Sequence, residues 1–265
     1  MNRIAFCIVC SALWSSPGWA QQTRPEIEID LVADTALLSA ALGFGLLLET
    51  IISTGELRPQ APVDASELAA IDRWRATSDS VFDRELSNVG LGIMSAWVIA
   101  DIALIETLGR GDEWTDYFMV YAQSAAFTLA LTDLAKIAVR RPRPIAYRQA
   151  RNGDDVAEDT NTALSFFSGH AAITGALAGT ASYLAWLRGD QEEAWIVTLG
   201  SLFLTGFVST MRVVEGKHFP TDVIAGSIIG MGVGVLVPHF HRASSLHINS
   251  MLLEDGVVLG FSGHF

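Results

Sequence analysis

Residues 212–238 read RVVEGKHFPTDVIAGSIIGMGVGVLVP, and this stretch decides the fold. Pro220 suits a first helical turn, where its missing amide hydrogen is no loss. From Val223 the run is apolar and uncharged, with Gly226, Gly230 and Gly234 spaced four residues apart. On a helix that spacing strips one face of side chains and lets a second helix approach closely. Working outward, five further apolar stretches lie near 31–52, 86–107, 115–139, 170–187 and 194–211. Alanine, leucine and glycine dominate them and no alternating period appears, so all six are read as helices. Gly175 and Gly179 repeat the four-residue spacing in the fourth. The expected fold is all-α, a six-helix bundle.

Composition leaves a membrane protein and an unusually apolar helical protein both open. Half of the 265 residues are hydrophobic, 17% are charged, and the mean hydropathy is +0.35. A membrane enzyme with sizeable polar loops fits these values. A net charge of −12 argues against nucleic acid as a partner, because phosphate backbones attract basic surfaces. Trp114, Trp186 and Trp195 fall at helix ends that share one side of an up-and-down bundle, like an interfacial aromatic belt. Asp101 and Asp133 sit inside apolar stretches and are expected to face the bundle interior rather than lipid.

The flanks carry their own signals. Arg3, the apolar run to Trp14 and Gly18-Trp19-Ala20 resemble a cleavable export signal over residues 1–20, with both cysteines, Cys7 and Cys10, inside it. The main domain is then 21–243. In the tail, 244–265, two apolar runs flank Asp255-Gly256, which predicts a short β-hairpin. Residues 53–85 and 145–165, the latter with Asn152-Gly153-Asp154-Asp155, are expected to be polar surface loops.

Three basic segments emerge on the side opposite the tryptophans. Lys136 and Arg143 close the third stretch, Ser168-Gly169-His170 opens the fourth, and Arg212, His218 and Asp222 join the fifth to the sixth. The prolines at 142 and 144 stop the helix, so Arg143 bends back toward the lysine charge. Ser168 is placed to cap a helix whose first amides, Gly169 and His170, receive an anion. Arg212 offers a planar fork to two phosphate oxygens. Asp222 is placed to hydrogen-bond one nitrogen of His218 and leave the other to attack phosphorus. His170 is placed to protonate the leaving oxygen and then activate water. Cations and amides stabilise the transferred group, so no metal or other cofactor is expected.

Lys-x6-Arg-Pro, Ser-Gly-His and Arg-x5-His-x3-Asp, in this order over 136–222, resemble the three signature motifs of the type 2 phosphatidic acid phosphatases. That superfamily also holds bacterial acid phosphatases and vanadium haloperoxidases. The resemblance implies phosphate binding by Lys136, Arg143, Ser168, Gly169 and Arg212, with His218 as nucleophile, Asp222 its partner and His170 the general acid. Phe167 stands where a proline is usual, and Met211 where a serine is usual. Arg140 and Arg141 read as membrane-interface charges, and Glu215 and Lys217 as solvated loop charges.

The expectation is a phosphatase acting on a phosphomonoester or pyrophosphate of a lipid, in a bacterial inner membrane, with the site facing the periplasm. A soluble periplasmic acid phosphatase and a non-catalytic phospholipid-binding membrane protein are the alternatives. With a cleaved signal, six spans would place the motifs in the cytoplasm. Thr35–Leu48 has only fourteen uncharged residues, so the first stretch is expected to be buried or re-entrant rather than spanning.

Overall fold

The computed structural model describes residues 27–82, 84–107, 114–153, 164–242, 247–253 and 256–262. The expected export signal, with Cys7 and Cys10, and the acidic pair Asp154-Asp155 lie outside the described residues. The described helices are α1 (Leu31–Ser53), α2 (Ala70–Thr77), α3 (Leu86–Thr107), α4 (Trp114–Val139), α5 (Pro144–Asn152), α6 (Gly169–Arg188), α7 (Gln191–Val214) and α8 (Pro220–Phe240). The six long ones coincide with the six apolar stretches. The expected count of six is nonetheless corrected to eight among the described residues, because both polar connections contain a short helix. At eight and nine residues, α2 and α5 are too short and too charged to register as apolar runs. They are held by tertiary contacts instead. In the tail, His247–Leu253 and Gly256–Ser262 pair antiparallel, with Leu253 opposite Gly256.

Local chemistry sets the helix ends. The Asp30 carboxylate accepts from the Val32 and Ala33 amides at 3.0 and 3.1 Å and starts α1. Asp190 starts α7 in the same way. At the end of α4, Arg140 takes a positive φ of 48°, and the chain leaves as Arg141-Pro142-Arg143-Pro144 before re-entering a helix at Pro144.

Helix α6 is the buried centre and packs most closely on α8. The seam is nearly all backbone: a methyl group at Gly230 or Gly234 would overlap the carbonyls of Ala172 and Ala176. The four-residue glycine spacing on both helices therefore performs the close approach that it predicts. A second layer of Met94, Val98, Tyr121, Leu177, Leu184 and Val197 fills the core toward the tryptophan end.

Five helices, Leu31–Ser53, Leu86–Ala103, Trp114–Val139, Gln191–Val214 and Pro220–Phe240, are long and apolar enough to cross a membrane. Their outward faces are apolar, with Leu46, Ile99, Phe203 and Ile228 each about two-thirds exposed or more. That is the surface of a bundle set in lipid. Two expectations change. Helix α6 is not among the five, because its serines, threonines and glycines pack against helices rather than lipid. Helix α1, expected to be buried or re-entrant, is long enough to span. Its charge at Asp34 is buried, accepting from the Gln123 amide at 3.0 Å and lying 2.7 Å from His241 Nε2, so the helix is not confined to the uncharged window.

Asp101 and Asp133 are buried, as expected of bundle-facing positions. Asp101 lies 3.0 Å from Arg188 and accepts from the Tyr121 hydroxyl at 2.7 Å. Trp186 and Trp195 meet edge to face at 5.3 Å at the same end of the bundle. The chain just before α1 also lies at that end, where the Glu28 amide donates to the His241 carbonyl. The chain after α1 lies at the other end, where the Gln60 amide donates to the Arg140 carbonyl.

Candidate active site

The site is built at the end where α4 and α7 stop and α3, α6 and α8 begin. After α7 the chain turns through Gly216, whose φ is 72°. The amides of Lys217 and His218 both donate to the Arg212 carbonyl, at 3.1 and 3.2 Å, and this folds the imidazole inward. His218 is almost fully buried. Its Nδ1 lies 2.9 Å from the Ser165 carbonyl, an acceptor, so Nδ1 carries the proton and Nε2 the lone pair. Burial pushes the His218 imidazole down to about 3, with Arg143 and Arg212 adding to the effect and Asp222 opposing it. The ring is therefore neutral near pH 7.

Asp222 differs from expectation. Its Oδ2 lies 3.7 Å from His218 Nδ1, so the closest partner of the ring is a backbone carbonyl and the carboxylate stands behind it. The carboxylate is occupied elsewhere. Oδ1 accepts from Arg141 at 2.6 Å, while Oδ2 accepts from the Phe219 amide at 2.8 Å and from the Ser165 hydroxyl.

Arg141, read from sequence as an interface charge, is the hinge of this network. Its guanidinium bonds Asp222 and the Thr221 hydroxyl through Nη1, both at 2.6 Å. Through Nη2 it bonds Asp72 of α2 at 2.8 Å, and the group stacks 4.4 Å from the Phe219 ring. Asp72 is fully buried and also accepts from the amide and hydroxyl of Thr221. Ser165 and Asp72 carry no motif, and only their contacts reveal them.

Ser168 stands at the N-cap of α6, but the expected capping bond is absent. Its hydroxyl is buried and bonds to nothing among the described residues, while its amide donates to the Asp222 carbonyl at 3.1 Å. Gly169 opens the helix. His170 Nε2 lies 2.7 Å from the Asn88 side-chain oxygen, and the Asn88 amide donates to Glu85 at 2.5 Å. An amide oxygen only accepts, so Nε2 of His170 carries a proton.

Arg212 is buried, 3.4 Å from the Ser87 hydroxyl and 3.8 Å from Glu215. Its Nε has no partner among the described residues. Glu215 is not the solvated loop charge expected from sequence. It is buried, and the amide and hydroxyl of Ser87 donate to it at 2.8 and 2.6 Å. Lys217 is half-buried and pairs with Glu85 at 2.9 Å. Arg143 donates through Nε to the Leu164 carbonyl at 3.2 Å.

Thus His218, Asp222, Ser168, His170, Arg143 and Arg212 share one neighbourhood. Lys136 is not brought into contact with them: its ammonium pairs with Asp133, one turn back on α4, at 2.8 Å. Elsewhere, His239 and His241 are engaged with Tyr183 and Asp34 at the far end.

Comparisons with known proteins bear on the same segment. The PAP2 superfamily profile matches residues 117–245. A decaprenylphosphoryl-5-phosphoribose phosphatase of Mycobacterium tuberculosis is 30% identical over 154 residues, covering 58% of this chain and 76% of that protein. A PA-phosphatase related-family protein of Dictyostelium discoideum is 28% identical over 132 residues, 47% of this chain; the chain spans about half, 48%, of its length. No solved structure matches.

Proposed function

Since this chain belongs to the PAP2 superfamily, we propose that it is a metal-independent phosphatase of phosphorylated lipids, cleaving a phosphomonoester or diphosphate through a phosphohistidine at His218. The observation that carries this reading is a pair of buried, unpartnered polar atoms beside a neutral histidine: the Ser168 hydroxyl and Arg212 Nε. A buried polar atom without a partner costs about 1–3 kcal/mol. A phosphate held between them removes that cost.

The reaction follows from the hydrogen bonds. His218 Nε2 attacks phosphorus while the bond to the leaving oxygen breaks. Burial and the cations around it lower the His170 pKa to about 4; the anionic substrate offsets them, so His170 takes up a proton on binding and gives it to that oxygen. The Ser165 carbonyl keeps the Nδ1 proton, and Asp222 faces the positive charge that the ring acquires. Arg143, Arg212 and the first amides of α6 stabilise the transferred group. Water then attacks phosphorus and loses a proton to His170; the phosphorus–nitrogen bond breaks, and neutral His218 and inorganic phosphate result.

The role of His170 is tested by leaving group. His170→Ala should slow hydrolysis of an alkyl phosphate such as phosphatidate by at least about 100-fold and that of 4-nitrophenyl phosphate far less, because nitrophenolate departs without a proton. Equal losses with both substrates would remove His170 from the proton transfer.

We further place the site on the periplasmic side of a bacterial inner membrane. Residues 27–28 lie at the opposite end of the bundle, so this placement requires them to remain on the cytoplasmic side. A cysteine at exposed Asn152, beside the site, reports the face once Cys7 and Cys10 are replaced by serine. Labelling by a membrane-impermeant maleimide in intact spheroplasts is expected. Labelling only after lysis would put the site in the cytoplasm.

A further inference from the structure

Beside the catalytic residues lies a cavity of about 300 Å³ between α2, α5 and the turn after α7. That volume is at the lower end for small-molecule sites. Its charge is unbalanced among the described residues. Arg75, Arg84, Arg143, Arg148 and Lys217 line it, and the described lining carboxylates are Glu85 and Glu215. Both acids are already engaged, Glu85 with Lys217 and Asn88, Glu215 with Ser87 and Lys217.

Arg75 is the telling member. It is 3% exposed and lies in no ion pair among the described residues. One nitrogen donates to the Ser80 carbonyl at 2.9 Å, whereas Nε is buried without a partner. A second guanidinium, Arg148, acts on it as a like charge, and burial and this neighbour lower the Arg75 pKa. Burying a guanidinium that feels a second like charge and has no ion pair among the described residues is unfavourable unless an anion enters. Arg75 and Asp72 stand one turn apart on α2. The same short helix therefore holds the Arg141–Asp222 network with one side chain and lines this cavity with the other. Arg143 belongs to both the cavity and the catalytic neighbourhood, so the two spaces adjoin.

We propose that this cavity is a second phosphate subsite, in which Arg75, Arg84 and Arg148 hold a further phosphate of the substrate next to the one being cleaved. The inference rests on the phosphatase reading above and narrows it to substrates with two phosphate groups, whether a diphosphate or a monoester joined to a phosphodiester. A phosphate group is also the headgroup of bilayer lipids, and the test must separate these two sources.

Binding is measured by calorimetry on the His218→Ala protein in detergent, so that failure of turnover cannot obscure it. Inorganic phosphate is compared with inorganic pyrophosphate and with 1,3-propanediol bisphosphate, which differ in phosphate spacing. At least one bisphosphate should bind at least tenfold tighter than phosphate, and Arg148→Gln or Arg84→Gln should abolish most of that advantage while shifting phosphate binding less than twofold. These two residues are chosen because Arg75 is buried and its loss risks misfolding. Absence of any advantage, or its survival in both variants, would overturn the proposal. A bilayer-phosphate site would instead show an Arg148 effect only in vesicles containing phosphatidylglycerol, and that result also overturns it. On active protein, the ratio of diphosphate to monophosphate hydrolysis should fall about tenfold in Arg148→Gln. An inactive wild-type protein that keeps the bisphosphate preference would refute the phosphatase reading while leaving the subsite standing.

Discussion

Replacing His218 by alanine is expected to lower phosphate release by roughly 10⁴-fold or more, since the attacking nitrogen is removed and the other imidazole of the site, His170, is held against Asn88. The variant should also fail to trap acid-labile, base-stable phosphate from a radiolabelled substrate. Retention of that label would move the nucleophile elsewhere. The same residue sets a pH signature. Its folded value of about 3 lies below the 6.5 of an exposed histidine, so the unfolded chain binds more protons between these values. Its contribution to stability is full above pH 6.5 and is lost as pH falls toward 3. Thermal melts of His218→Ala should therefore fall less steeply than wild type over that window. Parallel slopes would contradict a buried neutral ring.

Arg141→Met is the second large effect. It leaves Asp72 and Asp222, both buried, without their shared cation. Breaking a buried pair by removing one partner costs about 3–5 kcal/mol. The melting temperature in detergent should drop sharply, and activity should fall at least about 100-fold at temperatures where the protein remains folded, because Asp222 no longer backs His218. Arg141→Lys should recover part of the stability but less of the activity, since an ammonium cannot span two carboxylates as a planar fork does. Full activity in Arg141→Met at low temperature would show that the network is only structural.

Much of this architecture was legible in the sequence, for identifiable reasons. The six long helices are apolar and aperiodic, and the glycine spacing of α6 and α8 marks on each a face open to close approach, though not that the two faces meet. The tryptophans and the three basic segments separated to opposite ends by counting helices. What escaped the sequence acts across distance. Asp72 meets Thr221 across 149 positions, Ser87 meets Glu215 across 128, and Ser165 reaches Asp222 across 57. None has a periodicity or a motif to betray it. Arg141 was visible but misread, because a basic residue after an apolar helix ordinarily marks an interface. Helix α1 reads as too short to span because its uncharged window, Thr35–Leu48, has only fourteen residues between Asp34 and Glu49, and the burial of Asp34 against Gln123 and His241 shows how the helix tolerates that charge.

The glycine seam between α6 and α8 has a mechanical consequence. Ordinary helix pairs can creep past one another by small rotamer adjustments, but here carbonyls rest in gaps where side chains are missing. Sliding has no gradual path and would require a jump of a whole residue or more. The seam also anchors the starts of both helices, Ser168 and His170 on one and Asp222 on the other. Bundle breathing therefore cannot open or close this site without unseating the pair. Whatever motion admits a substrate and releases phosphate falls to the thin cap of α2 and α5, which is joined to the rigid frame through Arg141.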